Sequence, residues 1–345
     1  MLRFFVTCLW CVYSLFAQAQ DSATLSVNGY IETYFQYDLN KPVSKERPFF
    51  LYNHKRHNEF NINIAFIKVA YAAKKTTANL ALMAGTYAQY NLANEPKGLQ
   101  YIYEANVGYS FSEKWSLDAG ILPSHIGMES AVSKDCWNVS RSLLAENSPY
   151  YEAGLKLNYK PNPKWSTSLL LLNGWQNIQE TNAGKAIGLQ VQFKPNGKWL
   201  LNSSTFWGNE KPDSVLKQRR FFHNFYATYT ALPKLNMALL FDVGTENNNT
   251  WYGAAFLLQY ATTKKTRLAF RAEKYQDNAG VIIPVTAAGA FNVKGLSINA
   301  DILPASNLAL RVEARYLQAT NNLFIKDGVP RSNSFSFLSS MAVSF

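Results

Sequence analysis

The chain has 345 residues, of which only 17% are charged and 14% are aromatic, and its mean hydropathy is −0.18. The charged fraction is below the roughly 25% of ordinary soluble domains, and the hydropathy is too low for a bundle of membrane helices. The net charge of +11 is scattered, and no nucleic-acid-binding module is recognisable, so nucleic acid is not an expected partner. One face in lipid and one in water, as in a membrane β-barrel, would explain this composition.

The N-terminal residues have the three parts of a secretory signal peptide. Arg3 precedes an apolar run over residues 4–16, and the small residues Ala17 and Ala19 mark a cleavage site. The run is shorter than the ~20 residues of a membrane-spanning helix. We therefore expect removal of residues 1–19, export of the protein, and one domain over residues 20–345.

From Thr24 onward the dominant period of the apolar residues is two, which is typical of β-strands. In residues 101–111, for example, an aromatic and aliphatic face that includes Val107 and Tyr109 opposes a polar face that includes Glu104 and Asn106. This alternation predicts sixteen strands: 24–37, 58–72, 77–90, 100–111, 114–122, 149–160, 164–175, 184–194, 198–209, 219–230, 234–245, 250–261, 265–275, 287–302, 307–318 and 333–345.

Two segments depart from the simple pattern. In residues 58–72, Lys68 lies on the face that otherwise carries apolar side chains. Near Lys294-Gly295 the apolar face changes side, which predicts a β-bulge there.

The connections alternate between short and long. The short ones are 73–76, 112–113, 161–163, 195–197, 231–233, 262–264 and 303–306; the longer ones are 38–57, 91–99, 123–148, 176–183, 210–218, 246–249, 276–286 and 319–332. Bacterial barrels have short periplasmic turns and longer extracellular loops. The prediction is thus an all-β, transmembrane, antiparallel up-and-down β-barrel of about 16 strands in the outer membrane. A soluble β-sandwich or β-helix is the alternative.

The last predicted strand alternates in the same way and ends on the aromatic Phe345. A C-terminal aromatic residue resembles the signal by which outer-membrane barrels are recognised for assembly, so the barrel assembly machinery is an expected partner. Outer-membrane lipids are another. The basic first loop, 38–57, is a candidate contact for lipopolysaccharide, or simply a solvated loop.

Four short stretches resemble a known family. Residues 28–35 (NGYIETYF), 119–127 (AGILPSHIG), 148–154 (SPYYEAG) and 172–176 (LNGWQ) are similar to the putative beta-barrel porin-2, OmpL-like family of Bacteroidetes-type bacteria. The similarity runs over most of the mature chain. It implies an outer-membrane channel, but no substrate and no catalytic residues.

In a barrel, the polar face of each strand lines the interior. The predicted pore-lining residues are Glu32, Glu104, Asp118, Glu152, Lys156, Asp242, Arg267, Arg271, Glu273, Arg311, Glu313 and Arg315. The arginines form a basic wall opposite Glu104, Asp118 and Glu152, and opposed walls create a transverse field that tunes ion selectivity. Alternatively, these charges pair with each other and only brace the wall.

The longest loop, 123–148, is the candidate constriction, with Asp135, Arg141 and Glu146 as its charged members. An external cap loop is the alternative. His54-x-x-His57 has a spacing compatible with a metal ion, but two histidines on a loop are a weak signal, so no metal and no cofactor are predicted.

These features predict a channel for passive diffusion of small hydrophilic solutes or ions, and not an enzyme. None of the common hydrolase, metalloprotease or nucleotide-binding motifs is present, and adjacent residues such as Ser124 and His125 point to opposite strand faces. A non-conducting structural or adhesion barrel and an outer-membrane lipid hydrolase are the alternatives. The sequence does not separate a monomer from a homotrimer.

Overall fold

A closed antiparallel sheet of sixteen strands forms the protein in a computed structural model, which describes residues 23–345. Each barrel strand pairs with its neighbours in the chain, and the first and last strands close the ring, with Tyr30 opposite Ser344 and Asp38 opposite Ser336. The barrel and its sixteen strands are thus confirmed. The predicted signal peptide, with Ala17 and Ala19, lies outside the described residues.

The strands are β1 (Thr24–Asp38), β2 (Phe60–Ala72), β3 (Thr76–Ala84), β4 (Ile102–Ser110), β5 (Trp115–Pro123), β6 (Tyr151–Asn162), β7 (Trp165–Leu172), β8 (Ala186–Phe193), β9 (Trp199–Asn209), β10 (Arg219–Leu232), β11 (Leu235–Glu246), β12 (Asn249–Ala261), β13 (Thr266–Asp277), β14 (Phe291–Ala305), β15 (Leu308–Ala319), β16 (Phe324–Lys326), β17 (Val329–Arg331) and β18 (Asn333–Ser344). β16 and β17 form a separate hairpin in the last long loop, and the other sixteen form the barrel.

Helical segments occur only in the connections of the described chain. They are the α-helices α1 (Thr86–Asn91) and α2 (Leu143–Glu146) and the 3₁₀-helices η1 (Leu99–Tyr101) and η2 (Ser133–Asp135). α1 replaces the end of the third predicted strand, 77–90. No helix among residues 23–345 combines the length and the apolar character needed to cross a membrane.

The short connections lie at one end of the barrel, which we call the turn rim, and the others lie at the opposite end, the loop rim. One connection at the loop rim contradicts the predicted alternation of lengths. Asn247 and Asn248 join β11 to β12 as a two-residue turn with φ angles of 48° and 66°. Asparagine tolerates these positive angles, which tight hairpin turns require.

Aromatic side chains form a band on the outer surface near the turn rim. Three pairs stack across neighbouring strands with ring centroids 4.2 Å apart: Trp115 with Tyr159, Trp165 with Phe193, and Trp199 with Tyr229. Amphipathic rings are most stable where hydrocarbon meets head groups, so this band has the position of an interface girdle.

A β-bulge in β2 explains the position of Lys68. The register of β2 against β1 shifts next to Glu32, and both Asn63 and Ile64 are fully buried. Beyond the bulge Lys68 faces the interior, where its Nζ lies 2.6 Å from Glu104 Oε2. An unpaired residue reverses the parity of the strand, so the inward face of β2 differs on the two sides of Asn63.

The bulge predicted at Lys294-Gly295 is wrong. β13 and β14 stay in continuous register there, with Lys274 opposite Lys294. Lys294 faces outward, whereas Phe291 and Val293 face inward and are buried. The apolar residues change side because loop residues fill this end of the barrel, so that apolar side chains face inward here. The rings of Phe291 and Phe50, for example, lie 4.7 Å apart.

Candidate functional site in the barrel interior

Residues 124–150, which join β5 to β6 and which we call the inward loop, cross the interior of the barrel. Gly127 N donates to Asn224 Oδ1 on β10 (3.2 Å), and Ser133 Oγ donates to Glu32 on β1 (2.5 Å). The loop therefore contacts the wall on widely separated sides. This is the loop predicted as a constriction, and its contacts place it inside the barrel.

Arg141 holds the inward loop together from within. Its guanidinium is fully buried and donates to the carbonyl oxygens of Ser130 (2.5 Å), Ala131 (2.7 Å) and Val139 (2.6 Å). Three backbone acceptors on one planar guanidinium fix the shape of the loop. Arg141 thus organises the loop and does not present its charge to an open space.

The other two charged residues predicted for the constriction have different positions. Asp135 is exposed, and the adjacent Lys134 bonds Ser344 near the turn rim (2.6 Å). Glu146 is buried and accepts hydrogen bonds from the backbone nitrogens of Tyr52 (2.7 Å) and Asn53 (3.2 Å). Glu146 therefore ties the inward loop to the first loop.

Four charged side chains on β13 and β15 form a buried network. Arg271 lies 3.2 Å from Glu313 and 3.3 Å from Glu273, and Arg315 lies 2.7 Å from Glu273. All four are at most 6% exposed. Buried charges are tolerated only when they are paired in this way.

The same network holds the inward loop. Glu313 accepts from the backbone nitrogen (2.7 Å) and the hydroxyl (2.6 Å) of Ser140. Glu273 accepts from the backbone nitrogen of Leu143 (2.6 Å), and Arg271 donates to the carbonyl of Ser140 (2.7 Å). One side of the barrel wall is therefore fastened to the middle of the loop by charge-assisted hydrogen bonds, the stronger class of such bonds.

The first loop, residues 39–59, also enters the barrel. His54 is fully buried, and its Nε2 lies 3.1 Å from Glu32. Burial lowers the pKa of His54 below its ordinary value, although Glu32 opposes this effect, so we assign a neutral ring whose Nε2–H donates to the carboxylate. His57 Nδ1 instead accepts from Asp38 N (2.9 Å), so the two histidines have separate partners. Within residues 23–345, no group of three His, Cys, Asp or Glu side chains is placed to hold a metal ion.

His125 links the base of the inward loop to two sides of the wall. Its Nδ1 lies 2.8 Å from Glu152, and its Nε2 lies 3.0 Å from the carbonyl oxygen of Thr205. Both partners only accept, so both ring nitrogens must carry protons. Burial alone would lower the pKa of His125, but Glu152 raises it above the ordinary value. Ser124 Oγ also bonds Glu152 (3.1 Å), so serine and histidine share the acid and do not form a nucleophile–base pair.

All twelve predicted pore-lining side chains lie on the inward face, but most are covered. Asp118, Lys156 and Arg267 remain partly or fully exposed. The buried ones are Glu32, Glu104, Glu152, Asp242, Arg271, Glu273, Arg311, Glu313 and Arg315. Arg311 pairs with Asp301 (2.7 Å) and donates to the carbonyl of Cys136 in the inward loop (3.0 Å). These contacts support the alternative in which the arginines on β13 and β15 pair with neighbouring groups and brace the wall. Arg267, which is exposed, is the exception.

The buried wall extends around the whole barrel. Every barrel strand has an inward side chain that is at most 6% exposed, for example Glu32, Ile64, Met83, Glu104, Leu122, Glu152, Leu170, Ala186, Ser204, Asn224, Leu240, Leu257, Arg271, Asn299, Glu313 and Leu338. These positions lie at different heights: Met83 and Ala186 are near the loop rim, whereas Glu313 and Asn224 contact the inward loop within the barrel. Toward the turn rim, polar side chains such as Asn158, Gln190 and Asn236 are again partly exposed, and a cavity of about 240 Å³ lies at the loop rim.

Sequence reasoning missed the roles of His54, His125 and Ser140. His125 lies in the AGILPSHIG stretch, whose family resemblance was the one available signal. The partners of His54 and Ser140 lie 22 and 173 residues away in the chain, and no local pattern connects them.

A model of the family described as "Putative beta-barrel porin-2, OmpL-like" matches residues 24–345. The chain belongs to this porin family. The family expected from its motifs is therefore confirmed. No curated protein sequence matches the chain.

The fold of this family member is similar to solved outer-membrane barrels. The OmpT of Vibrio cholerae has a TM-score of 0.62 at 10% identity, with 94% of this chain and 99% of that chain covered. The anion-selective porin from Comamonas acidovorans has a TM-score of 0.61 at 9% identity, with 94% and 100% covered. The outer membrane channel DcaP of Acinetobacter baumannii has a TM-score of 0.64 at 11% identity, with 94% and 97% covered. Identities this low support the fold alone.

Proposed function

We propose that this family member is an outer-membrane porin in which small hydrophilic solutes or ions diffuse passively, with the inward loop limiting their passage. The observation that carries the proposal is the inward loop itself, which lies inside a closed sixteen-strand barrel between polar spaces at both ends. A barrel of this size is wide enough for an aqueous channel unless loops fill it. Family membership and similarity to a porin and a channel give further support.

Ion preference in this proposal depends on the exposed interior charges. Arg267 is exposed, and Lys156 and Asp118 are partly exposed near the turn rim. A charge acts on a passing ion only where water reaches both, because a buried ion pair has little net field. We therefore expect Arg267 and Lys156 to favour anions, and the transverse field to come from these residues and not from Arg271, Arg311 and Arg315.

A non-conducting structural or adhesion barrel is the second candidate. It is favoured by the buried inward side chains that every barrel strand carries, because a filled interior leaves less room for a water-filled path. In that case the inward loop would be a permanent filling.

The proposal includes export with removal of residues 1–19 and insertion by the barrel assembly machinery among outer-membrane lipids and lipopolysaccharide. Phe345, the proposed assembly signal, pairs with Gly29 on β1 through both backbone hydrogen bonds (2.7 and 3.0 Å). The mass of the mature protein tests cleavage after Ala19, and native mass spectrometry separates a monomer from a homotrimer.

Planar-bilayer recording tests the function. The refolded protein should produce discrete conductance steps, and proteoliposomes that contain it should swell in solutions of small sugars. A correctly folded barrel, shown by its heat-dependent mobility on SDS gels, that yields neither signal supports the second candidate and overturns the porin proposal.

A further inference from the structure

We propose that a cavity at the turn rim binds a small soluble anion with at least two negative charges, of the class of pyrophosphate and organic phosphates. This inference deepens the proposed function and rests on it for the route by which the anion reaches the site through the barrel. Its test is a binding measurement that does not require conduction.

Lysine recurs at one position of the turn rim. In six of its seven connections, the residue immediately before the returning strand is a lysine, and its carbonyl oxygen accepts a hydrogen bond of between 2.7 and 2.9 Å from the residue opposite. Lys and Arg together make up only 34 of the 345 residues, so this recurrence is a local enrichment. Glu113 is the one acidic residue in these seven connections of the described chain. The six lysines are Lys75, Lys114, Lys164, Lys198, Lys234 and Lys265.

Two of these lysines lie opposite a second lysine. Lys160 N donates to the carbonyl oxygen of Lys114 (2.8 Å), and Lys194 N donates to the carbonyl oxygen of Lys164 (2.8 Å). We call these the two lysine pairs. Like charges directly opposite each other on neighbouring strands destabilise a sheet. Each pair therefore has a cost that a bound anion would relieve.

The two lysine pairs have no carboxylate partner in the protein. Within residues 23–345, the lysines that form ion pairs are Lys68, Lys185 and Lys211. The four side chains of the two lysine pairs are exposed instead. Their ammonium groups are thus in contact with water and accessible to an anion from solution.

Both lysine pairs line one cavity, which has a volume of about 530 Å³. The turn that joins β6 to β7 lies between the pairs and is well ordered. Asn162 Oδ1 accepts hydrogen bonds from the backbone nitrogens of Lys164 (3.0 Å) and Trp165 (3.2 Å). Pro161 and Pro163 restrict the backbone on either side of Asn162. The turn therefore keeps the two pairs on the same cavity.

The charges of the lining indicate the class of the ligand. Four lysines and one carboxylate, that of Glu113, leave three positive charges in excess (4 − 1 = 3). An ammonium group offers three donors and no acceptor, and lysine binds phosphate groups as a point charge. A monovalent anion or an uncharged sugar would leave most of this charge unmatched. The cavity volume is within the ~300–1,000 Å³ of small-molecule sites, so an organic phosphate also has room.

The position of the cavity favours a soluble anion over the head group of an anionic lipid. Ser166 and Gln192 belong to the lining and face the barrel interior, where Gln192 Nε2 donates to the hydroxyl of Tyr226 (3.3 Å). Trp165, whose ring stacks on Phe193 at the outer surface, lies on the membrane side of the cavity. The cavity therefore adjoins the aqueous mouth of the barrel.

Isothermal titration of the full-length mature protein in uncharged detergent tests the inference, with pyrophosphate, acetate and glucose as probes. We expect saturable pyrophosphate binding that weakens as salt is added, and at least about tenfold weaker binding of acetate and glucose. Absence of saturable pyrophosphate binding, or equally tight binding of acetate or glucose, overturns the inference. If pyrophosphate binds while bilayers show no conductance, the porin proposal fails and the binding site stands; conductance without pyrophosphate binding gives the reverse result.

Lys160→Gln/Lys194→Gln is the informative variant, because it removes one charge from each lysine pair and both side chains are exposed. Loss of two charge-assisted contacts should weaken pyrophosphate binding by about tenfold or more. Lys234→Gln/Lys265→Gln is the matched control: it removes two exposed lysines of the same rim that do not line the cavity. We expect a loss below about threefold in the control, from long-range attraction alone. Equal losses in the two folded variants contradict the assignment.

Native mass spectrometry of the protein extracted with its lipids distinguishes a soluble anion from a lipid head group. We expect wild type and Lys160→Gln/Lys194→Gln to retain phosphatidylglycerol equally. Phosphatidylglycerol that wild type retains, that pyrophosphate displaces and that the variant does not retain would assign the cavity to a lipid head group and overturn the inference.

Discussion

The carboxylate of Glu313 on β15 accepts two hydrogen bonds from Ser140, one from the backbone nitrogen at 2.7 Å and one from the hydroxyl at 2.6 Å. The same carboxylate lies 3.2 Å from Arg271. Glu313 therefore neutralises part of the buried wall and fastens the middle of the inward loop. The position of the loop and the charge balance of the wall depend on the same side chain.

Glu313→Gln should loosen the inward loop. The variant keeps one acceptor oxygen but leaves Arg271 and Arg315 short of negative charge, and breaking a buried ion pair costs about 3–5 kcal/mol. We expect a lower unfolding temperature and larger or more frequent conductance steps. Glu104→Gln is the control: Glu104 pairs with Lys68 and makes no hydrogen bond to the loop. Equal conductance of Glu313→Gln and wild type would count against the tether.

His125 should make stability depend on pH. Its pKa is raised in the folded protein, so its protonation stabilises the fold below the unfolded value of about 6.5, and this contribution is lost as the pH rises through the raised folded value. The unfolding temperature of wild type should fall by a few degrees across that window. His125→Gln should remove the fall, whereas His223→Gln, which contacts Thr205 and not Glu152, should retain it. A pH dependence that is unchanged in His125→Gln contradicts the assignment.

Gly154 on β6 should not accept a side chain. Its φ is +156°, and an added Cβ would lie 2.0 Å from the carbonyl oxygen of Leu171 on the neighbouring strand. Gly154→Ala should lower the free energy of unfolding by more than the ~1–3 kcal/mol of backbone strain alone, as measured by unfolding in urea. Gly98→Ala, whose added methyl meets nothing within 4 Å, is the control and should be near neutral. Equal stability of the two variants would be the contrary result.

The number of strands and the inward face of most of them could be predicted from the sequence, because the period of two is a local property. Lys68 shows where this prediction fails. The single unpaired residue Asn63 reverses the inward face of β2, and the one sign of this reversal in the sequence was a lysine on an otherwise apolar face. Phe291 is a second case, because it faces inward to meet Phe50 from a loop more than two hundred residues away.

The candidate site was predictable only in part. The inward direction of Arg271, Glu273, Glu313 and Arg315 followed from strand parity. Whether water reaches them did not, because that depends on where the inward loop folds, and its contacts with Ser140 and Leu143 are non-local. Parity alone therefore identifies which charges face the interior but not which remain in water.

Arg267→Gln should shift ion selectivity more than Arg315→Gln. Arg267 is exposed, whereas Arg315 is buried against Glu273 at 2.7 Å. Reversal potentials in a salt gradient should therefore move toward cation preference in Arg267→Gln, and Arg315→Gln should mainly lower stability. A larger shift of the reversal potential in Arg315→Gln than in Arg267→Gln would mean that the arginines on β13 and β15 that the loop covers determine ion selectivity.

The effect of the inward loop on single-channel conductance decides whether this barrel is a porin whose passage the loop limits. In the comparison variant, residues 129–141 are replaced by a short Gly-Ser linker, which removes the contacts of Ser133, Ser140 and Arg141. We predict small conductance steps for wild type and steps several-fold larger for the variant, with larger sugars now able to pass. Equal conductance of the two folded proteins, or none from either, would contradict it.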